Sequence, residues 1–97
     1  MQYNVEWDPK KANLNLKKHG ISFESASSVF YDPRAITIFD DEHSENEERW
    51  VTIGISKNGQ IIILCHLFTE ETKDSCTIRI FSARKATKSE AKNYRGL

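Results

Sequence analysis

Apolar and polar residues alternate over residues 2–7, with Tyr3, Val5 and Trp7 set against Gln2, Asn4 and Glu6. That period of two predicts a short strand with one buried face. Asp8 and Pro9 then predict a helix start, the aspartate as N-cap and the proline at the first helical position. Gly20 predicts its end, and Lys17, Lys18 and His19 fill a last turn where positive charge suits the dipole. Ser22 predicts the cap of a second helix reaching about Phe30, whose Phe23, Ala26 and Phe30 share one face. Asp32-Pro33 ends it. Residues 34–39 read as a strand, and residues 40–47, which hold no apolar side chain, read as a loop. Residues 48–56 and 60–68 flank Asn58-Gly59, a pair that predicts a hairpin with a type I′ turn. A polar connection over 70–75 leads to a further strand at 76–82. Thr87-Lys88-Ser89-Glu90 has the form of a capping box and opens a final helix to about Arg95.

The order strand, helix, helix, four strands, helix indicates an α+β fold with a mostly antiparallel sheet. Two helices lie toward the N-terminus and one at the C-terminus. They are expected to cover one face and leave the other for function. With 97 residues and 11.2 kDa, the chain suits a single domain over 1–97. Its longest apolar run, 61–64, falls far short of the roughly 18–20 residues that span a bilayer. The N-terminus lacks the basic flank and apolar stretch of a signal peptide. A soluble, cytoplasmic protein without membrane association is expected. Cys65 and Cys76 then read as small apolar residues on neighbouring strands. Three scattered histidines without a C-x-x-C pair give no zinc signature, and the four glycines are too dispersed for a phosphate loop. No metal and no cofactor is expected.

The formal net charge is zero, yet it is segregated. Residues 32–50 carry seven acids against Arg34 and Arg49, a net −5. Residues 77–97 carry Arg79, Arg84, Lys85, Lys88, Lys92 and Arg95 against Glu90, a net +5. Lys88, Lys92 and Arg95 share a helical stripe, where like charges repel by a few tenths of a kcal/mol. A polyanion would account for such a cluster. Alternation along 76–82 puts Ile78, Ile80 and Ser82 on one face and Arg79 and Phe81 on the other. His66 is the polar exception in an otherwise apolar strand. Beside Arg79 it could serve metal-free RNA cleavage: a base removes the 2′-OH proton, arginine steadies the phosphorane, and an acid protonates the leaving 5′-oxygen. Tyr94 could stack on a base or donate that proton. The competing reading makes His66 a hydrogen-bonded core histidine and Tyr94 a packing residue. Lys18 either serves the helix dipole or meets RNA. Arg49 either meets RNA or pairs with a neighbouring acid.

Several blocks resemble the BrnT family of bacterial toxins. They are Trp7-Asp8-Pro9-Lys10-Lys11-Ala12-Asn13, Lys18-His19-Gly20-Ile21-Ser22-Phe23, Phe30-x-Asp32-Pro33, Glu47-Glu48-Arg49-Trp50-x-x-Ile53-Gly54 and Ile80-Phe81-Ser82-Ala83-Arg84-Lys85-Ala86-Thr87. They run in order over nearly the whole chain. The resemblance implies a RelE-like fold and the toxin half of a type II toxin–antitoxin operon. It implies ribonuclease activity that halts translation, and a BrnA-like antitoxin that neutralises the toxin and brings the complex to DNA. Metal-free catalysis in that wider fold points to Arg79, Arg84 and Lys85, with His66 and Tyr94 as further candidates. Lys18, Arg49, Lys88, Lys92 and Arg95 are the candidate RNA contacts. Phe81 and Lys85 depart mildly from the family pattern, which favours an aliphatic residue and an arginine there. The alternative is a non-catalytic RNA- or antitoxin-binding module acting as a co-repressor subunit. His66 on the face of Arg79 would favour the enzyme; His66 buried under a helix would favour the binder.

Overall fold

A computed structural model describes residues 2–45, 47–70 and 72–96, excluding the side chains of His43 and Glu70. Parts of the loop expected at 40–47 and of the connection at 70–75 therefore lie outside the described residues. Five strands form one sheet: β1 (Gln2–Trp7), β2 (Ile36–Phe39), β3 (Trp50–Ile55), β4 (Ile61–Glu70) and β5 (Ser75–Lys85). Their spatial order is β1-β5-β4-β3-β2. All neighbours are antiparallel except β1 and β5, which run parallel with Val5 opposite Ile78 and Trp7 opposite Ile80. The helices are α1 (Pro9–His19), α2 (Phe23–Ser27) and α3 (Lys88–Arg95), with 3₁₀ turns at Ser28–Tyr31 and Asp41–His43. This is the expected α+β arrangement.

Local signals explain the helix ends. Asp8 accepts a hydrogen bond from the Lys10 amide at 2.9 Å, and Gly20 closes α1 in the left-handed region at φ 70°. Thr87 and Glu90 form the reciprocal capping box of α3. The second helix is shorter than its apolar spacing suggests, because the chain tightens into a 3₁₀ turn after Ser27. That turn lies hard against β3. A Cβ on Gly54 would come within 3.1 to 3.3 Å of Val29 Cβ, Ala35 Cβ and an Asp32 carboxylate oxygen, so a side chain there would make its neighbours give by a few tenths of an ångström.

The core lies between the sheet and the α1–α2 layer. Phe23, Ala26 and Val29 pack onto Ile62, Leu64, Ile78 and Ile80, all essentially solvent-free. Burying side chains of this size stabilises by roughly 1.5 to 3 kcal/mol each. Cys76 is buried in this core and Cys65 sits half-buried on the other face; neither forms a disulfide.

Three expectations need correction. The hairpin loop is not type I′, because Asn58 does not adopt a positive φ. Gly59 donates to the Ser56 carbonyl at 2.9 Å and the Ser56 amide to Gln60 at 2.8 Å, with Gly59 at φ 78°. Lys57, Asn58 and Gly59 thus make a three-residue loop ending in a left-handed glycine. Secondly, β5 is irregular opposite Cys65 and His66: Cys65 pairs with Ser82 and His66 with Ile80, which leaves Phe81 as an extra residue. A bulge of this kind reverses the side-chain alternation beyond it. Ala83 therefore follows Ile80 into the core, and Ser82 moves to the face of Arg79 and Phe81 instead of joining the isoleucines. Thirdly, the helices do not share one face. Glu90 and Asn93 of α3 line a groove with Ile36, Ile38, Val51, Ile53 and Ile63, which all lie on the face opposite the core.

Candidate active site

Strand β1 ends opposite Ile80, while β5 runs on to Lys85. The place beside that extension is taken by α1, through Asn15. Its Nδ2 donates to the Ala83 carbonyl at 2.8 Å and its Oδ1 accepts from the Ala83 amide at 3.1 Å. The carboxamide thus serves as one residue of a missing strand. The same Nδ2 donates to the Ile21 carbonyl at 3.0 Å, which also fixes the exit of α1.

This docking brings one face of α1 over the bulge. A cleft of about 390 Å³ opens there, with Lys11, Leu14, Asn15, Lys18 and His19 on the α1 wall and Arg49, Cys65, Phe81 and Ser82 on the sheet side. It adjoins a second hollow of about 350 Å³ that shares Arg49, Cys65 and Ser82 and adds Asp40, Arg84 and Glu90. The Phe81 ring, the extra residue of the bulge, gathers two cations: Lys11 Nζ lies 4.9 Å and the Arg49 guanidinium 4.5 Å from its centroid. Arg49 also has Glu47 at 3.9 Å. Arg84 forms a two-pronged pair with Glu90 at 2.7 and 3.0 Å, and Glu90 additionally accepts from the Thr87 amide. The Arg84 hydrogen bonds, then that amide, hold the Glu90 carboxyl down to about 2. Burial pushes the Cys65 thiol up, more than Arg49 pulls it down, so it stays protonated and a poor nucleophile.

The structure divides the residues singled out in the sequence. Arg49, Lys18 and Arg84 face this double cleft. Arg79 shares the sheet face but sits toward the other end of β5, paired with Glu6 at 3.3 Å. Lys85 and Arg95 line a separate hollow near the β3–β4 loop. Lys88 and Lys92 are exposed on α3, and neither lines the double cleft. The cationic surface is thus built from α1, Arg49 just before β3 and Arg84 of β5, not from β5 and the helix after it. Lys18 is among the residues expected to meet RNA, whereas Lys11 and His19 are brought to the cleft by the docking of α1.

His66 does not neighbour Arg79. It lies on the core face, fully buried, because the register sets it opposite Ile80 and sets Leu67 opposite Arg79. Edge-to-face contacts with Phe30 and Phe68 hold its ring. Nδ1 faces the Leu67 carbonyl at 3.4 Å, which can only accept, so the proton is assigned to Nδ1. Nε2 then accepts from the Thr52 hydroxyl at 2.6 Å, and Thr52 from Thr37 at 2.7 Å. Burial pushes the pKa of His66 down to about 4. Its folded pKa lies below the unfolded value near 6.5, so the unfolded chain binds the extra proton between those values. Stability from this group is complete above pH 6.5 and falls as the pH drops toward 4. We expect a loss of about 2 kcal/mol between pH 7 and pH 5. Urea unfolding at the two pH values checks this, and a flat response would refute it.

Tyr94 is also an anchor. Its hydroxyl donates to an Asp32 carboxylate oxygen that accepts from the Ile55 amide as well. Burial, then the Asp32 carboxylate, raises the Tyr94 pKa. The bond ties α3 to the 3₁₀ turn and the end of β3. Tyr94→Phe should lower stability by about 1 to 2 kcal/mol and leave RNA cleavage within about twofold, since the ring stays in place. A fall in cleavage of ~100-fold without loss of fold would return Tyr94 to the chemistry.

Three comparisons bear on identity. No curated protein matches the chain. The crystal structure of the Brucella abortus ribonuclease toxin, BrnT, shares its fold: TM-score 0.58 at 20% sequence identity, covering 91% of this chain and 100% of that one. A family model described as the ribonuclease toxin, BrnT, of type II toxin–antitoxin systems matches residues 7–90. That span takes in α1, the bulged strand and the capping box, so the chain belongs to the BrnT family of ribonuclease toxins.

Proposed function

We propose that this chain is a metal-independent endoribonuclease that cuts RNA to inhibit translation and is neutralised by a BrnA-like antitoxin, reaching DNA only within that complex. The observation that carries the reading is the convergence of Lys11, Lys18, His19, Arg49 and Ser82 on one cleft at the β5 bulge. A ribose-phosphate chain lying there meets the guanidinium of Arg49, with Lys18 and Lys11 placed for flanking phosphates. Arg49 stabilises the charge that grows on the phosphorane oxygens. His19 is the acid–base group of the cleft: it takes the 2′-OH proton as the 2′-oxygen attacks phosphorus, the P–O5′ bond breaks, and the 5′-oxygen leaves as a hydroxyl with a proton drawn from water in the open cleft. Arg84, held by Glu90, flanks the adjoining hollow.

The burial of His66 favours a second reading, the non-catalytic RNA- or antitoxin-binding module, since that histidine is lost to the chemistry. His19 supplies the acid–base group that the enzyme reading needs. Incubation of purified protein with RNA in EDTA separates the two. The expected result is cleavage leaving a 2′,3′-cyclic phosphate and a 5′-hydroxyl, with no cut at a 2′-deoxy position. Intact RNA would establish the binder. Cleavage only on addition of a divalent ion would refute metal independence.

A further inference from the structure

We propose that the edge strand β2 and the groove beside it are the docking surface for an extended segment of the antitoxin, with alternating apolar side chains and a basic end. The inference rests on the neutralisation reading above. Among the described residues strand β2 has one neighbour, β3, so its outer backbone edge is unpaired within the sheet they form. Natural edge strands are usually blunted by charge or proline. The opposite edge, β1, follows that rule, with Gln2, Asn4 and Glu6 exposed. Strand β2 does not: its sequence is Ile-Thr-Ile-Phe, with Ile36, Ile38 and Phe39 exposed by 44%, 60% and 41%. Exposed apolar edges of this kind are templates for strand addition.

Beside the edge lies a groove of about 200 Å³, floored by Ile36, Ile38, Val51, Ile53 and Ile63 and walled by Glu90 of α3. A strand added to β2 would direct every second side chain over this floor. The charge around it selects the occupant. The stretch 32–50, which contains β2, has a net charge of −5, with Asp41, Glu42 and Glu45 exposed just beyond the strand. Two copies of the chain paired here would bring two such stretches into one interface. A partner with lysine or arginine at the corresponding end would be attracted instead. Neutralisation then follows from geometry, because Val51, Ile63 and Glu90 line both this groove and the hollow holding Arg84. A chain seated on β2 would lie beside the hollow that holds Arg84.

The test uses this chain and a BrnA-like antitoxin, co-expressed and then measured with purified components. Ile38→Lys should weaken the complex by at least ~100-fold and abolish growth rescue, while free Ile38→Lys keeps wild-type cleavage and melting temperature. Asp41→Lys with Glu42→Lys, away from the sheet, should slow association and remove its salt dependence. Amide exchange at 36–39 should slow in the wild-type complex. Unchanged binding of Ile38→Lys, or unchanged exchange at 36–39, would overturn the proposal. So would a wild-type dimer that Ile38→Lys splits, which would make a second copy the occupant. If the wild type cuts no RNA yet binds the antitoxin through 36–39, the ribonuclease reading fails and the docking surface stands.

Discussion

Replacing Asn15 with alanine should destabilise the fold by about 3 to 5 kcal/mol. The side chain makes three hydrogen bonds in a site only 7% exposed. Truncation strips both backbone groups of the fully buried Ala83 and the carbonyl of Ile21 of their side-chain partner. Each buried group left unsatisfied costs about 1 to 3 kcal/mol. A domain of this size should then melt about 15 to 30 °C lower. Asn15→Asp separates hydrogen bonding from volume. The aspartate keeps an acceptor for the Ala83 amide but sets a buried carboxylate against the carbonyls of Ala83 and Ile21. Its destabilisation should therefore ease as the pH falls and the carboxyl protonates, whereas that of the alanine variant should not ease for this reason. Urea denaturation of the three proteins at two pH values measures this. A loss below about 1 kcal/mol in the alanine variant, the net value of one ordinary hydrogen bond, would mean that β5 beyond Ile80 is held by something other than α1.

Asn15 also marks where the sequence stops being legible. The capping signals, which act within a few residues, read correctly. Asp8-Pro9 and Gly20 bracket α1, and Thr87 with Glu90 opens α3, because caps are local hydrogen bonds. The alternation of Ile78 and Ile80 gave the core face of β5 for the same reason. Apart from the turn type at Asn58-Gly59, what failed depends on partners far along the chain. One unpaired residue, Phe81, moved Ser82 to the other face, and no feature of 76–82 announces a bulge. The same register sent His66 under Phe30 and away from Arg79. Asn15 looked like one polar residue among several on a helix poor in apolar side chains. Its role exists only because β1 is too short to accompany β5. The thin apolar content of α1 was the available clue: such a helix must dock through something else, and here it is a carboxamide. Lys18 and His19 illustrate a different ambiguity. A helix C-terminus favours positive charge whether or not a ligand is present, so the pattern alone could not separate dipole from cleft.

Cleavage itself should divide along the same line, between cations that face the cleft and cations that do not. Arg49→Ala should reduce kcat/KM by about 10² to 10³, the usual effect of removing a donor aimed at developing charge. Arg49→Lys should recover only part of it, since an ammonium keeps the charge but loses the planar fork and its stacking on Phe81. His19→Ala should lose about 10² to 10⁴, and added imidazole should restore part of the rate, a recovery that a purely structural histidine would not show. Arg79→Ala is the informative control. Arg79 lies on the same sheet face but is separated from Arg84 by most of the upper strand, roughly 13 to 17 Å, and is already paired with Glu6. Its loss should change cleavage by no more than about threefold, the size expected of a screened surface pair. Single-turnover cleavage of one RNA by the four variants, with folding checked by circular dichroism, decides the matter. Should Arg79→Ala be inactive while Arg49→Ala cuts normally, the reacting phosphate sits at the far end of β5 and the cleft beside α1 is not where the chemistry happens.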